Sequence, residues 1–318
     1  MKLTIISAEE VARHLTYDRC IPLMREAMIA LSKGRTRQLL RGIIDLEGGG
    51  ALGVMPGGMD DTGAFGAKLV SVFPGNFERG LPSHQGVVAL FDPESGAPVC
   101  ILDAGEITAI RTAAASAAAT DCLARPDAKR LAILGYGEQA WRHVEAIRHV
   151  RDIEHVAVWG RSPSRTAAFA ARVRTLGLAV TAAPDVERAV AGADIICTVT
   201  AASEPLLYGR LVPEGTHLNV VGSSRSNAAE IDTGLVCRSR FFADHRPGVL
   251  SQGGEFLRAK AAGRVDDDHV LGEIGEVMAG TLAGRLTPAD ITLYKSLGSI
   301  VQDLASAWYL YRACRQGG

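Results

Sequence analysis

The sequence predicts an α/β fold, with a doubly wound parallel sheet of the Rossmann type accompanied by an α+β unit. Three observations predict it. The turn Gly135-Tyr136-Gly137-Glu138-Gln139-Ala140 joins an apolar strand to a helical segment. Short apolar strands alternate with helical segments after Pro126, the pattern of a parallel sheet with crossover helices. The first hundred residues instead hold apolar runs broken by glycine and proline, which read as antiparallel strands.

In chain order, Ser7 and Glu10 form a capping box ahead of Val11 and Leu15, which continue an apolar helix face. A second helix covers roughly Tyr17 to Leu31 and stops before Gly34. Residues 50–58, 64–74 and 86–91 read as strands. Residues 91–96 form a turn, from which 98–103 pair back as a hairpin. The α+β unit therefore runs to about residue 104. Asp103 and Glu106 cap the next helix, whose alanine-rich face permits close packing. Residues 130–135, 155–160, 178–181, 194–200 and 217–222 are short apolar strands, with helical segments at 138–150 and 164–176 between them. From Thr292 to Cys314, apolar residues recur at Leu293, Leu297, Ile300, Val301, Leu304 and Trp308. That spacing marks one face of a helix.

Composition narrows the function classes. The formal net charge is −1 and like charges do not run together, so no nucleic-acid partner is expected. No apolar run spans a bilayer, and the amino terminus lacks a leader-like apolar core. A soluble cytoplasmic protein is expected, with no membrane partner. The six cysteines form no C-x-x-C pair and read as reduced, small apolar side chains. The eight histidines show no ligand spacing, so no metal site is expected.

The glycine turn carries the chemistry. Gly135 permits the tight turn, Gly137 lets a pyrophosphate approach the backbone, and Ala140 allows close helix–strand packing. The helix start adds free N–H groups and a partial positive charge. Tyr136, Glu138 and Gln139 complete this cofactor-binding segment. The second strand, which ends at Gly160, decides which dinucleotide binds. An acid at such a strand end would bond the ribose 2′-hydroxyl of NADH. Residues 155–165 contain none. Gly160 leaves room, and Arg161, Ser162 and Arg165 offer donors and positive charge for a 2′-phosphate. NADPH is therefore expected, with NADH possible; the alternative is that these arginines form a solvated loop.

Several blocks together resemble the ornithine cyclodeaminase/mu-crystallin family over nearly the whole chain. They are Met55-Pro56-Gly57, residues 66–70, residues 81–86 with Ser83-His84-Gln85, Ile110-Arg111-Thr112-Ala113-Ala114, the glycine turn, Thr198-Val199-Thr200, Val221-Gly222-Ser223-Ser224-Arg225, residues 273–277 and residues 294–298. The resemblance implies a substrate-binding and dimerisation domain, residues 1–118 plus 293–318. The Rossmann dinucleotide-binding domain, residues 119–292, is inserted in it, and homodimers pair through the first domain. It points to Arg41, Lys68 and Arg111 as the groups that hold a substrate carboxylate, which suits cations able to grip both oxygens. Ser83 and His84 join the substrate-binding set and resemble the mu-crystallin side of the family. Thr112, Thr198, Val199, Thr200, Val221, Gly222, Ser223, Leu297 and Gly298 join the cofactor-binding set. For Arg41 the alternative is an exposed strand-edge charge, for Lys68 and Arg111 structural salt bridges, and for His84 a hydrogen-bonded loop residue.

One departure sets the subclass. Cyclodeaminases carry an aspartate shortly after the Val-Gly that ends the fifth of these parallel strands, where the resemblance assigns proton relay. Ser224 stands there, and an ordinary hydroxyl does not serve as a carboxylate base. Glu230 is the candidate stand-in. With Lys68 and Arg111, Ser224 completes the expected catalytic set. The expectation is an NAD(P)H-dependent reductase of small cyclic imino acids, taking pyrroline-2-carboxylate or piperideine-2-carboxylate to proline or pipecolate. The alternatives are an ornithine cyclodeaminase or alanine-type dehydrogenase, and a crystallin-like protein that holds NADPH without turnover.

Overall fold

A computed structural model describes residues 3–316. The chain divides into two units, Met1–Arg111 with Ser299–Gly318, and Thr112–Gly298. The first division falls inside a helix, at Arg111/Thr112 rather than 118/119. The second follows Gly298 rather than residue 292.

The first unit opens with β1 (Thr4–Ile6), α1 (Ala8–His14) and α2 (Tyr17–Ser32). The Ser7–Glu10 capping box at α1 is formed. Then come β2 (Thr36–Gln38), β3 (Gly42–Asp45), β4 (Ala51–Met59), β5 (Phe65–Val72), β6 (His84–Phe91) and β7 (Pro98–Asp103). They make one sheet in the order β1-β7-β6-β5-β4-β2, with β3 also paired to β4. All its pairs are antiparallel except β1 with β7. The predicted turn before β7 is built on Asp92, whose Oδ1 accepts from the Glu94 and Ser95 backbones and the Ser95 hydroxyl. α3 (Ala104–Leu123) follows directly; Asp103 Oδ1 accepts from Glu106 N at 2.7 Å, the predicted cap.

The second unit is a sheet in which every pairing is parallel. Its elements are β8 (Arg130–Leu134), α4 (Glu138–Ile147), β9 (His155–Trp159), α5 (Pro163–Arg174), β10 (Ala179–Ala182), α6 (Val186–Val190), β11 (Ile195–Thr198) and β12 (His217–Val220). They continue with α7 (Thr233–Arg238), β13 (Ser239–Ala243), α8 (Arg246–Gln252), α9 (Gly254–Ala261), β14 (Val270–Glu273), α10 (Ile274–Met278) and β15 (Ile291–Lys295). The strand order is β10-β9-β8-β11-β12-β15-β13-β14. Its first five strands have the order of a doubly wound nucleotide-binding sheet. Ser162, Asp185 and Asp232 cap α5, α6 and α7 through their side chains, the role short polar residues play at helix starts.

The segment from Thr292 corrects the sequence reading. It is not one helix: β15 forms first, and α11 (Ile300–Gln316) begins after it. β15 lies between β12 and β13 and is buried along its whole length. Leu293 of β15 and Leu297 after it fall at spacings that continue the face of α11, so strand and helix together mimic one helical stripe. α11 packs on α2, β4, β5 and β6 of the first unit. That covered face of the sheet holds Lys68, Val88, Leu90, Cys100 and Leu102, all buried. Among the described residues, no helix is long and apolar enough to cross a membrane.

Candidate active site

The first unit gathers charge on the covered face of its sheet. Alternation along β5 turns Lys68 towards α11 and Leu69 away from it. Asp303 Oδ1, on α11, accepts from Lys68 Nζ at 3.0 Å and from Arg111 Nε, on α3, at 3.0 Å. Arg111 Nη1 donates to Gln302 Oε1 at 2.7 Å, and Lys68 Nζ donates to Thr108 Oγ1 at 2.6 Å. Lys68, Arg111 and Asp303 are 3%, 4% and 0% exposed, so this is a buried ion cluster with two cations and one anion. Burial pushes the Lys68 ammonium down, Asp303 opposes the shift and Arg111 adds to it; the value falls to about 8. Burial alone would raise the Asp303 carboxyl, but Arg111 and Lys68 hold it below its ordinary range. Asp303 Oδ2 and Gln302 Nε2 are buried without a hydrogen-bond partner.

Arg41 lies between β2 and β3, and its charge also bears on Lys68. Ser83 and His84 sit apart from this cluster. Ser83 Oγ and His84 Nδ1 are 3.0 Å apart, and His84 is exposed at the start of β6. His84 stands opposite Val72, whereas Lys68 stands opposite Val88. Four register steps separate them, roughly 13 Å along a strand.

In the second unit the glycine turn follows β8 as predicted. Gly135 has φ +132°, and a Cβ there would lie 2.7 Å from Val199 O, so glycine is needed both for backbone angle and for space. Gly137 precedes the first turn of α4. A Cβ at Gly137 would meet nothing within 4 Å, which leaves open space at the helix start where a phosphate would approach. Ala140 is fully buried. Gln139 Oε1 is buried with no partner, while exposed Glu138 stands 3.7 Å from Arg142. These features fit a dinucleotide.

At the end of β9, Gly160 has a reason the sequence did not show. A Cβ there would collide with the Tyr136 ring, so the room at Gly160 is taken by Tyr136. Arg161 is exposed, and Ser162 Oγ accepts from Arg165 N at 3.4 Å as the α5 cap. Ser162 Oγ also lies 3.1 Å from Ser164 Oγ.

The loops after β11 and β12 are held from within. Glu230 is fully buried, and its carboxylate accepts four hydrogen bonds of 2.7–2.8 Å. The donors are Thr198 Oγ1, Thr200 N, Thr200 Oγ1 and Gly222 N. Glu230 therefore serves as a loop anchor and does not stand in for the missing aspartate. Val199 packs against Gly135, and Val221 N donates to Thr198 O. Lys295 Nζ donates to Ser223 O and Ser223 Oγ, each at 2.7 Å, and pairs with Glu255 Oε2 at 2.8 Å. Ser223 Oγ donates in turn to Glu255. Leu297 N and Gly298 N donate to Asp244 Oδ2 at 2.7 and 2.6 Å. Thr112 is buried in α3. Ser224 is half-buried beyond β12.

Sequence reasoning missed Gln302, Asp303, Asp244, Glu255 and Lys295, and left Glu230 open as a stand-in for the missing aspartate. One signal was present: Asp303 lies beside Ile300, Val301 and Leu304 on an apolar helix face, where only a paired charge is tolerated.

The model of the ornithine cyclodeaminase/mu-crystallin family matches residues 1–318. The chain is 36% identical over 317 residues to the ketimine reductase mu-crystallin of Mus musculus, covering 98% of this chain and 97% of that one. Among solved structures it is similar to the Thermococcus litoralis Δ1-pyrroline-2-carboxylate reductase in complex with NADH and L-proline. The TM-score is 0.96 at 33% identity, with 99% and 98% of the two chains covered. It is also similar to an archaeal alanine dehydrogenase dimer with bound NAD, with a TM-score of 0.93 at 29% identity and coverage of 100% and 98%.

Proposed function

The chain belongs to the ornithine cyclodeaminase/mu-crystallin family, and from that premise we propose that it is an NADPH-dependent reductase of cyclic ketimines. Its substrates are pyrroline-2-carboxylate and piperideine-2-carboxylate. The observation that carries this reading is the cluster in which Lys68 and Arg111 share one carboxylate oxygen. Two cations against one anion leave one positive charge unmatched, which suits a substrate carboxylate. The relatives named for ketimine and pyrroline-2-carboxylate reduction support the substrate class.

Bound NADPH supplies a hydride to the ring carbon that bears the carboxylate. Reduction also needs one proton at the ring nitrogen. Arg111 holds the carboxylate with its planar fork. Lys68, held near 8, keeps a proton on Nζ at neutral pH and can release it. Gly137 and the start of α4 would hold the pyrophosphate, and Arg161, Ser162 and Arg165 would hold the 2′-phosphate. Ser224 adds no charge. Reduction of a ready-made imine has no need of a carboxylate there, whereas ornithine cyclisation must also expel ammonia. Native protein given ornithine and oxidised nucleotide should release no ammonia; stoichiometric ammonia with proline would replace the reductase reading by the cyclodeaminase one.

A second reading, oxidation of a small amino acid such as alanine, is favoured by the likeness to the alanine dehydrogenase. Reduction of NADP⁺ by alanine in the absence of any imine would establish it.

Cofactor choice is separately testable. Arg161→Asp should lower kcat/KM with NADPH about ten- to a hundredfold relative to NADH, because a hydrogen bond to a charged group contributes roughly 1.5–3 kcal/mol. An unchanged preference would remove Arg161 from the 2′-phosphate site.

We also propose a cytoplasmic homodimer. The sheet face opposite α11 carries Ile5, Leu69 and Phe65, which are 72%, 41% and 36% exposed. The register joins Ile5 to Ile101, Ala89 and Ala67 across the sheet, so the apolar surface is continuous. A second copy of the same face is the occupant that suits it. Light scattering should give twice the chain mass, and Leu69→Asp should halve it; a native monomer would contradict the dimer.

A further inference from the structure

We propose that Asp303 is a positioning residue of the imino-acid site: its buried Oδ1, shared by Lys68 Nζ and Arg111 Nε at 3.0 Å each, holds both cations against the same atom. The proposal rests on the reductase reading above and adds to it a residue on α11, which the sequence places far from the other two. Two like charges that lean on one oxygen repel each other, and burial strengthens the repulsion. Without a carboxylate between them, Lys68 and Arg111 would separate or Lys68 would lose its proton. Asp303 removes both routes. Gln302, the preceding residue, fixes the other side of the Arg111 fork through Oε1, so α11 orients the guanidinium at two points.

The charged groups that act on Lys68 come from three places. They are Asp303 from α11, Arg111 from α3, and Arg41 from the segment between β2 and β3. Its neighbours across the sheet, Met55 on β4 and Val88 on β6, carry no charge. Cys20 on α2 senses Arg111, but burial pushes its thiol up to about 12, so it stays neutral. Asp303 is therefore the one anion named here that favours protonated Lys68. Arg111 and Arg41 both oppose protonation, as does burial.

Asp303→Asn keeps the shape and removes the charge. Lys68 should then lose its proton at lower pH. The alkaline limb of kcat/KM for pyrroline-2-carboxylate should move down by about 1–3 pH units, the usual effect of a carboxylate at this range. NADPH affinity, read by nucleotide fluorescence, should be unchanged. A residue with a purely structural role would lower activity evenly across pH, and an unmoved limb overturns the proposal. If Asp303→Asn does not fold, Asp303→Glu decides. It keeps the anion one methylene further out, so the limb should stay with the native one while KM for the imino acid rises at least tenfold; that factor corresponds to about 1.4 kcal/mol. Native KM in Asp303→Glu overturns the proposal. Failure of the underlying reading shows differently, because the native protein itself would then leave the imine unreduced.

Discussion

Arg111→Ala is expected to lower kcat/KM for the cyclic imine by about a hundred- to a thousandfold while leaving NADPH binding within about threefold of native. Truncating one member of a buried, hydrogen-bonded charge pair commonly costs about 3–4 kcal/mol, and each 1.36 kcal/mol is tenfold in rate. Arg111 is 4% exposed and bonded to both Asp303 and Gln302, so its removal opens a hole beside Lys68 as well as removing a charge. Arg111→Lys should recover only part of the loss, because an ammonium lacks the planar fork that reaches Asp303 and Gln302 together. Steady-state kinetics with a parallel fluorescence titration of NADPH checks this. Equal losses in both measurements would place Arg111 on the cofactor instead of the substrate.

The second large effect concerns stability. Lys295→Met should destabilise the protein by about 3–5 kcal/mol near neutral pH, the usual result of leaving one buried charge without its partner. Burial alone would raise the Glu255 carboxyl, but Lys295 and Ser223 hold it below its ordinary range. A carboxyl held down contributes stability that is present above its unfolded value and lost as the pH falls through the folded one. Without Lys295 the sign reverses. Glu255 is then pushed up, and the penalty of the variant should shrink as acid protonates it. Chemical denaturation at neutral and mildly acidic pH measures both. Lys295→Met combined with Glu255→Leu should recover part of the loss, since the Glu255 charge is gone while buried Glu230 still lacks its neighbouring cation. A full penalty that persists in the double variant would mean that packing, and not charge, makes Lys295 necessary.

What the sequence revealed depended on how local each signal was. The Ser7 capping box, the Asp103 cap and the turn on Asp92 involve residues within three of each other, and all three were legible. The glycine turn was legible for the same reason, although the purpose of Gly160 was not, because Tyr136 fills its space from another loop. β15 reads as helix because Leu293 and Leu297 extend the apolar stripe of α11 in four-residue steps. The segment between β12 and β15 gave no secondary-structure reading: α7, α8 and α10 are seven residues or shorter, too brief to show a helical stripe.

The site divides along the same line. Resemblance points to Lys68 and Arg111, but their common anion lies 235 and 192 residues away in sequence, and a charge on an apolar helix face does not say which cations it serves. Glu230 shows the converse, an open alternative that the structure closes. It was the obvious acid close to Ser224, yet its carboxylate is filled by donors from Thr198, Thr200 and Gly222. A buried acid that already accepts four hydrogen bonds is poorly placed to exchange protons with a substrate.

Reduction of a ready-made cyclic imine consumes NADPH, so the nicotinamide absorbance reads the reaction itself. Native protein is mixed with NADPH and pyrroline-2-carboxylate, and absorbance is followed beside a control without the imine. Absorbance should fall only when the imine is present, with one proline formed for each NADPH consumed. Tight NADPH binding with no loss of absorbance in the presence of the imine would contradict the reductase reading and leave a nucleotide-binding protein without this activity.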